Sequence, residues 1–332
     1  MRKLFSRREF VLLVAIIIIS VATTIINPQF LTIDNLINIA STNAATAIIA
    51  VGMTMAMIIG GIDISVSAQL VTVGVLCGKL MQMGYLNSFT MFVAFMVIGG
   101  CLGSINGILI AKTDLPPIIV TLATQNIFRG FILQWTRGSW MMGLPGYFLQ
   151  IGKARFLGIP CSVYILAIVA VSAHLLLSYT RIGRDIYAVG GNKDAAVRMG
   201  VNLVRTYLFV FVFLGVLTGI AAIVYFSPSA AILPTSATGL EMTIVASVVL
   251  GGASINGGRG NVGSTLLGVF LLGLIQNALV LAHVQAYWQN ILNGVFIVVP
   301  VVADAIRVKY DTGEWTRLGL FRKKATKMGG KV

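Results

Sequence analysis

The sequence is poor in charged residues, and this shortage excludes an ordinary soluble protein. Only 10% of its 332 residues are charged, against roughly 25% in typical soluble domains. The chain is 57% hydrophobic and its mean hydropathy is +0.93. Such a chain cannot cover its outer surface with polar groups, so its solvent must be mostly lipid. We therefore expect a polytopic membrane protein.

Histidine and cysteine are also scarce; the histidines favour a packing role over metal or proton chemistry, and the cysteines give little information on redox chemistry. His174, His283, Cys77, Cys101 and Cys161 lie in or at the edges of apolar runs, and no CxxC pair occurs. We interpret the cysteines as small apolar fillers and the histidines as packed side chains. The sequence has no GxxxxGK[ST], HExxH or GxSxG motif. We therefore expect a non-catalytic chain that carries no cofactor and no metal.

Long apolar runs predict an all-α membrane bundle of about ten transmembrane helices. A helix needs about 20 predominantly apolar residues to span the hydrocarbon core. Two of the runs, 117–134 and 241–253, are weaker than the others. The predicted spans are residues 10–27, 43–60, 65–83, 90–111, 117–134, 163–179, 207–226, 241–253, 263–284 and 288–303.

The basic residues predict the orientation of this bundle. With a cytoplasmic N-terminus and alternating spans, 19 of the 24 Lys and Arg residues lie inside and 3 lie outside. This asymmetry agrees with the positive-inside rule and predicts an even number of spans with both termini in the cytoplasm. Since the net charge of +14 forms no basic patch interleaved with aromatic residues, no nucleic-acid partner is expected.

The same pattern predicts one transmembrane domain over residues 1–332. We expect the membrane bundle at 10–304, a cytoplasmic loop at 180–206 and a basic cytoplasmic tail at 305–332. A second polar stretch, 135–162, is expected to lie outside. The tail is too short to fold as a domain, because isolated domains below about 40 residues rarely fold unaided.

The cytoplasmic loop contains a short helix with its own start and stop signals. Asn192 is a good N-cap, Asp194 lies in the first turn and can pair with Arg198 at i,i+4, and Gly200 supplies a left-handed stop. We expect the surface formed by Ala195, Ala196 and Met199 to contact a partner; the alternative is a solvated connector. The candidate docking residues are Asn192, Lys193, Asp194, Ala195, Ala196, Val197, Arg198, Met199 and Gly200.

A second cluster, residues 59–67, lies between two predicted spans. Its glycines allow a sharp break in the chain, and Asp63 and Ser65 can cap the helix that follows. The alternative is a direct role in a translocation path, since an acid at this depth is costly unless capped or hydrated. The candidates for these roles are Gly60, Gly61, Asp63, Ser65, Ser67 and, in a later span, Asn126.

A third cluster, residues 249–263, contains a literal GxGxxG at Gly258, Gly260 and Gly263. A dinucleotide site would need an acidic residue about 20 positions later, and the next one is Asp304. We therefore predict a tight turn between two membrane helices. The residues of this motif are Gly251, Gly252, Gly257, Gly258 and Gly260.

Acidic residues within the predicted spans are limited to Asp63 and Glu241, at span boundaries. Ion-coupled carriers usually need buried carboxylates or a comparable relay, so the scarcity speaks against that class. Arg129 lies in the predicted span 117–134. We expect it to face the bundle interior or to snorkel; the alternative is a role in binding an anion.

In this order and spacing, the three clusters resemble the permease subunits of bacterial ABC importers for monosaccharides, of the ribose type. The family's elements match Gly60–Val66, Ala188–Gly200 and Val249–Gly260, and the likeness covers about residues 10–305. Residues 238–242 and 286–290 look like autoinducer-2 importer permeases, while rhamnose-type and other sugar permeases remain alternatives. The family usually has Gly where this chain has Ser67 or Ala68, which weakens the subgroup assignment.

The resemblance implies a set of partners. A second permease copy, identical or similar, would complete the membrane unit, and two copies of a cytoplasmic ATPase would hold ATP and Mg. A periplasmic binding protein would deliver the sugar to the inner membrane, and residues 192–200 would be the coupling helix. Affinity would lie mainly in the binding protein, with a path lined by Ser, Thr, Asn and Gln. The rival hypotheses are an ion-coupled secondary carrier or channel and a membrane-embedded enzyme.

Overall fold

The structure, a computed structural model, describes residues 7–113 and 115–285, together with residues 287–289, 291, 292, 294, 295, 298 and 302. The predicted span 288–303 lies largely outside the described residues, as do Ala286 and Asn290, and the tail 305–332 lies wholly outside them. The described α-helices are α1 (Arg7–Ile26), α2 (Ile33–Thr42), α3 (Ala44–Ile58), α4 (Val66–Gln82), α5 (Ser88–Lys112), α6 (Pro117–Thr136), α7 (Gly146–Lys153), α8 (Cys161–Tyr179), α9 (Arg181–Gly191), α10 (Lys193–Arg198), α11 (Leu203–Phe226), α12 (Leu240–Leu250) and α13 (Val262–Leu281).

The expectation of an all-α membrane bundle is confirmed. Five described helices, α1, α5, α8, α11 and α13, are long and apolar enough to cross a membrane, and the bent pair α2–α3 gives a sixth. Helices α4 and α12 are shorter apolar helices. The total of ten spans and the cytoplasmic position of both termini stay predictions.

The main departure from the predicted spans is the break between α2 and α3. The run at 43–60 predicts a single helix, but α3 is preceded by α2 at an angle of 50°. Asn43 stands at the break, and its side-chain Nδ2 donates to the carbonyl of Ile39 at 2.9 Å. A side chain that enters the i→i−4 ladder is a recognised cause of sharp bends in helices.

Helix α3 forms the centre of the bundle. All of its residues are buried, as expected for a helix that is apolar on every side. It is packed against α8, α11, α12 and α13. Beside it, α5 and α11 run antiparallel in close contact, because glycines on both helices let the backbones approach.

The bundle has two distinct ends. At one end, which we call the basic end, lie the C-terminal ends of α3, α5 and α8, helices α9 and α10, and the turn between α12 and α13. The other end, which we call the ladder end, carries α7 and two short antiparallel ladders, β1 (Met141–Met142) with β4 (Ala231–Ile232) and β2 (Arg155–Phe156) with β3 (Ile159–Pro160). The basic end is named for Lys112, Arg181, Arg184, Lys193, Arg198, Arg205 and Arg259.

Candidate functional site

The three sequence clusters meet at the basic end around the last carbonyl of α3. The backbone N–H of Gly258 donates to the carbonyl oxygen of Ile58 at 2.8 Å. Gly190, in the last turn of α9, approaches the same carbonyl so closely that a Cβ atom built on it would lie 1.7 Å from the oxygen. Residues about 70 and 130 positions apart therefore share one contact point, and only backbone fits between them.

Two tyrosines fasten the surrounding elements to this point. The hydroxyl of Tyr187, on α9, donates to the carbonyl of Gly260 at 2.8 Å. The hydroxyl of Tyr207, on α11, donates to the carbonyl of Ile59 at 3.3 Å. Burial raises the pKa of Tyr187 above its ordinary value, so its hydroxyl keeps the proton that it donates. Helix α9 is thus held against the turn that follows α12.

The short helix α10 extends from this fastened helix. The side chain of Asn192 accepts from the backbone N–H of Ala195 at 2.9 Å, which caps the first turn. Gly200 has φ +84°, and the N–H of Val201 donates to the carbonyl of Ala196 at 3.0 Å. A left-handed residue followed by such a backbone bond closes the C-terminus of a helix.

The prediction of which α10 residues contact a partner is wrong for one residue, Ala196. Ala196 is buried, with 1% of its surface exposed, and it belongs to the hydrophobic core of this chain. A helix of six residues is not stable by itself. The small side chain of Ala196 packs α10 against the bundle. The large apolar side chains left exposed are those of Val197, at 51%, and Met199, at 74%.

The prediction of an ion pair within α10 is also wrong. Among the described residues, no ion pair joins Asp194 to Arg198, and both side chains are exposed. An exposed i,i+4 pair contributes only about 0.3–0.5 kcal/mol, so water competes with it effectively. Lys193 instead lies over the ring of Tyr207, with its Nζ 5.4 Å from the ring centroid.

Asp63 stands in the α3–α4 connection within a fully buried polar network. Its Oδ1 accepts from the backbone N–H of Ser65 at 2.9 Å and from the Ser65 hydroxyl at 2.6 Å. Its Oδ2 accepts from Gln69 Nε2 at 3.1 Å and from Asn106 Nδ2 at 3.2 Å. Since Asn106 belongs to α5, the carboxylate ties the connection to two helices.

The expected capping of α4 differs in detail from this network. Ser65 is the N-cap residue, but its side chain makes no capping hydrogen bond; its Oγ accepts from Gln69 Nε2 and Asn106 Nδ2, each at 2.8 Å. Ser67 is buried, and its hydroxyl has no partner among the described residues. The same is true of Gln69 Oε1 and Asn106 Oδ1.

Gln69 and Asn106 were not singled out from the sequence, although both are fully buried polar residues. An amide within an apolar run is the signal that could have identified them, because a polar group in a membrane helix needs a partner. Thr121 of α6 completes the connection: its hydroxyl donates to the carbonyl of Ile62 at 3.1 Å and accepts from the N–H of Ile64 at 3.2 Å. The α3–α4 connection therefore contacts both α5 and α6.

The remaining polar candidates lie on α6. The Asn126 side chain is exposed and donates to the carbonyl of Leu122 at 2.9 Å. Arg129 is half-buried and donates to the carbonyl of Ser236 at 2.9 Å. Gln125 Nε2 donates to Glu241 Oε1 at 3.3 Å. Arg129 thus contacts the non-helical segment before α12, and Asn126 lies apart from the Asp63 network.

The glycine-rich turn follows a helix, whereas a dinucleotide-binding GxGxxG follows a strand. Gly251 is the C-cap of α12, and Asn261 caps α13 by accepting from the N–H of Gly263 at 2.8 Å. Between them, Gly252, Gly257 and Gly258 have positive φ. The turn thus places its own backbone against the end of α3.

Comparison with known proteins assigns this architecture to a family. Residues 35–301 match the family described as branched-chain amino acid transport system / permease component. The ribose import permease protein RbsC of Haemophilus influenzae is 36% identical over 91% of this chain and 94% of its own length. The D-allose transport system permease protein AlsC of Escherichia coli is 34% identical over 87% of this chain and 89% of its own.

A third relative is the autoinducer 2 import system permease protein LsrC of Salmonella paratyphi B. It is 33% identical over 92% of this chain and 88% of its own length. No solved structure matches the chain. The resemblance to ribose-type ABC importer permeases is therefore confirmed, and with it the expectation of a non-catalytic transport subunit. The chain belongs to the family of transport-system permease components.

Proposed function

We propose that this chain translocates a monosaccharide or a sugar-like solute across the bacterial inner membrane. ATP hydrolysis on two partner ATPase subunits drives the transport, and a periplasmic binding protein delivers the solute. Relatives named for ribose, allose and autoinducer 2 support this class of substrate. Autoinducer 2 is the alternative substrate within the same family.

The observation that carries the proposal is the arrangement of α10. The helix is closed at both ends and anchored through Ala196, yet it leaves Val197 and Met199 exposed. Large apolar side chains on a short exposed helix are typical of a surface that docks on another protein. We assign residues 192–200 to the coupling helix on this basis.

The contacts at the basic end suggest how force would travel from this helix. Helix α10 follows α9 directly, so a displacement of α10 would move α9. Gly190 of α9 lies against the carbonyl of Ile58 and would pass this displacement to the end of α3. The connection after α3 then acts on α5 through Asn106 and on α6 through Thr121. Because each contact is a backbone contact or a buried hydrogen bond, the elements would move as rigid levers rather than absorb the displacement.

We propose one domain over residues 1–332 with ten spans, both termini and the 180–206 loop in the cytoplasm, and a second permease copy beside it. Asn126 supports the second copy, because an exposed amide in a membrane helix usually faces protein or a water-filled path rather than lipid. We assign Asn126 to the translocation path or to the surface shared by the two copies. The Asp63 network holds the α3–α4 connection in place.

Charge placed on α10 tests the proposal. Val197→Arg and Met199→Arg should fold normally, since both side chains are exposed. Each should lower co-purification with the ATPase and sugar-dependent ATP hydrolysis at least ~10-fold, equivalent to about 1.4 kcal/mol of binding free energy. Thermal unfolding of the isolated chain in detergent should be unchanged.

Leu157→Arg is the matched control, because Leu157 is 84% exposed at the ladder end; it should leave ATPase binding unaltered. Ala196→Arg is not a clean test, since it inserts a charge into this chain's own core. Wild-type ATPase binding by both the Val197 and Met199 variants would refute the coupling assignment.

The rival class, an ion-coupled secondary carrier, makes an opposite prediction. It requires the purified chain alone to take up sugar into liposomes under an ion gradient, without an ATPase. We expect no such uptake, because Asp63 is engaged by hydrogen bonds from Ser65, Gln69 and Asn106. Gradient-driven uptake by the chain alone would replace the proposal.

A further inference from the structure

A cavity of about 700 Å³ opens at the ladder end of the bundle. One wall is the last turn of α2, with Asn38, Ser41 and Thr42. The opposite wall comes from Tyr225 at the end of α11 and from the non-helical segment up to Ser236, and Trp140 closes a third side. Its volume lies within the roughly 300–1,000 Å³ of small-molecule sites.

The lining has the chemistry of a site for a neutral polyol. Hydroxyl and amide side chains and three aromatic rings stand among small apolar residues, and none of the described residues that line the cavity is charged. Hydroxyls and amides both donate and accept hydrogen bonds, which suits a ligand with several hydroxyl groups. Rings such as those of Trp140 and Tyr225 combine an apolar face with a polar tip and suit the C–H faces of a sugar ring.

The cavity also lies beside the break between α2 and α3. Its wall includes Ser41 and Thr42 before the break and Ala45 after it. A helix end leaves its last carbonyl groups without intrahelical partners. In secondary transporters, which are a different class, interrupted membrane helices commonly form the substrate site with such free backbone groups.

Unsatisfied hydroxyl groups are found at the same place. Ser236 lines the cavity, and Ser227 lines a smaller one of about 30 Å³ that shares Ser41, Gly152, Val224 and Pro228 with it. Both hydroxyl oxygens are buried behind the surface, and neither has a hydrogen-bond partner among the described residues. The small cavity is large enough for about one water molecule, which would extend the polar wall behind Ser41.

A neighbouring cavity of about 360 Å³ gives a useful contrast. It shares Trp140 and Met142 with the larger cavity but is lined by Lys79, Gln82 and Trp135. The ammonium group of Lys79 would favour an anion over a neutral ligand in this smaller cavity. The two cavities therefore offer different chemistry on the two sides of β1.

We propose that the larger cavity is a low-affinity subsite for a neutral sugar at the end of the permease remote from the coupling helix. The α2 hydroxyl and amide groups would bind the sugar hydroxyls, and Trp140 would cover a ring face. This inference rests on the proposed sugar transport and adds where the chain itself contacts the solute. It places substrate contacts within one copy, between α2 and α11.

Protection from cysteine labelling tests the subsite directly. In the complete transporter in nanodiscs, with Cys101 and Cys161 replaced by alanine, Ala230→Cys is labelled with a small hydrophilic maleimide. Ala230 lines the larger cavity, and its replacement removes no group that would bind the sugar. D-ribose or D-allose should slow the labelling by the factor 1 + [sugar]/Kd, about tenfold at nine times Kd. Ribose 5-phosphate should give little protection, because the lining has no charge to receive it. Ser139→Cys, which lines only the neighbouring cavity, should not be protected by either neutral sugar.

Uptake measurements provide the second readout. Asn38→Leu and Trp140→Ala should each lower import at least ~10-fold, the effect of losing about 1.4 kcal/mol, while ATPase co-purification stays normal. Trp135→Ala is the matched control, since Trp135 lines only the neighbouring cavity, and it should import normally.

Three results would overturn the subsite: equal protection at Ala230→Cys and Ser139→Cys, protection by the binding protein without sugar, or normal import by both the Asn38 and Trp140 variants. These results leave ATPase binding intact. A failure of the proposed function itself would instead abolish ATPase binding by the unaltered chain, so the two failures can be told apart.

Discussion

At the scale of single residues, the packing of the basic end requires that residue 190 has no Cβ atom. A Cβ on this residue would lie 1.7 Å from the Ile58 carbonyl oxygen and 2.7 Å from the Gly258 nitrogen. All of these are backbone atoms, so no side chain can rotate away to make room. The glycine pair 190–191 is visible in the sequence, but the sequence does not say which of the two must be glycine.

We expect Gly190→Ala to separate α9 from the end of α3. The cost should reach or exceed about 1–3 kcal/mol, the usual range for overpacking, and it should appear as a lower thermal unfolding midpoint in detergent. Gly191→Ala is the matched control, because a Cβ there has no atom within 4 Å. Equal midpoints for the two variants would contradict the contact.

Ala196 and Asp63 show how far residue-level inference from the sequence reaches. The cap and stop of the short helix can be read from Asn192 and Gly200, because they are local backbone chemistry. Which face of that helix is buried depends on where α9 and α11 hold it, so the exposed position of Ala196 was wrongly predicted. Asn106, which donates to Asp63, was missed for the same reason, since it lies 43 residues away.

At the scale of helices, α5 and α11 form the most extensive helix pair in the described bundle. A Cβ on Gly103 would lie 2.2 Å from the carbonyl of Phe211, and one on Gly215 would lie 2.2 Å from the carbonyl of Gly99. Glycines spaced four apart let membrane helices pack backbone to backbone. Since lipid offers no hydrophobic force between helices, this close packing is what stabilises the pair.

Gly103→Ala should therefore push the two helices apart. We expect a loss of at least ~3 kcal/mol, at the upper end for overpacking, measured by thermal or denaturant unfolding of the chain in detergent. Gly130→Ala on α6 is the control: a Cβ there meets nothing within 4 Å, and alanine is favoured over glycine in a helix by about 1 kcal/mol. A Gly103 variant as stable as the Gly130 variant would refute this account.

Helix bounds were predicted well where apolar runs are long and uninterrupted. The run at 90–111 corresponds to α5 (Ser88–Lys112), and that at 263–284 to α13 (Val262–Leu281). Helix α2 was missed because its residues 33–42 are only partly apolar and its axis is set by the bend at Asn43. Hydropathy indicates whether a segment is buried or immersed in lipid, but it does not indicate the direction of the helix axis.

At the scale of the whole molecule, the placement of charge agrees with one orientation. The basic end contains Lys112 and Arg205, at the adjoining ends of α5 and α11. In bacterial membrane proteins, the loops on the cytoplasmic side carry an excess of Lys and Arg. We therefore propose that the basic end faces the cytoplasm and the ladder end faces the periplasm.

Labelling from outside intact cells checks this orientation. In a chain with Cys101 and Cys161 replaced by alanine, Leu157→Cys should react with a membrane-impermeant maleimide added outside. Met199→Cys should react only after the cells are permeabilised. Both positions are well exposed, at 84% and 74%, so accessibility within the protein does not limit either reaction. External labelling of Met199→Cys would overturn both the orientation and the coupling assignment.

The sequence by itself determined the membrane class, the positions of most helices and the local caps and turns. Each of these depends on composition or on neighbours within a few residues, where hydropathy and backbone chemistry act directly. Only the tertiary structure decided that the three motifs meet at Ile58, that Ala196 faces inward and that a cavity with an uncharged lining opens beside Asn38. These features depend on contacts between distant residues, which packing fixes and sequence spacing does not reveal.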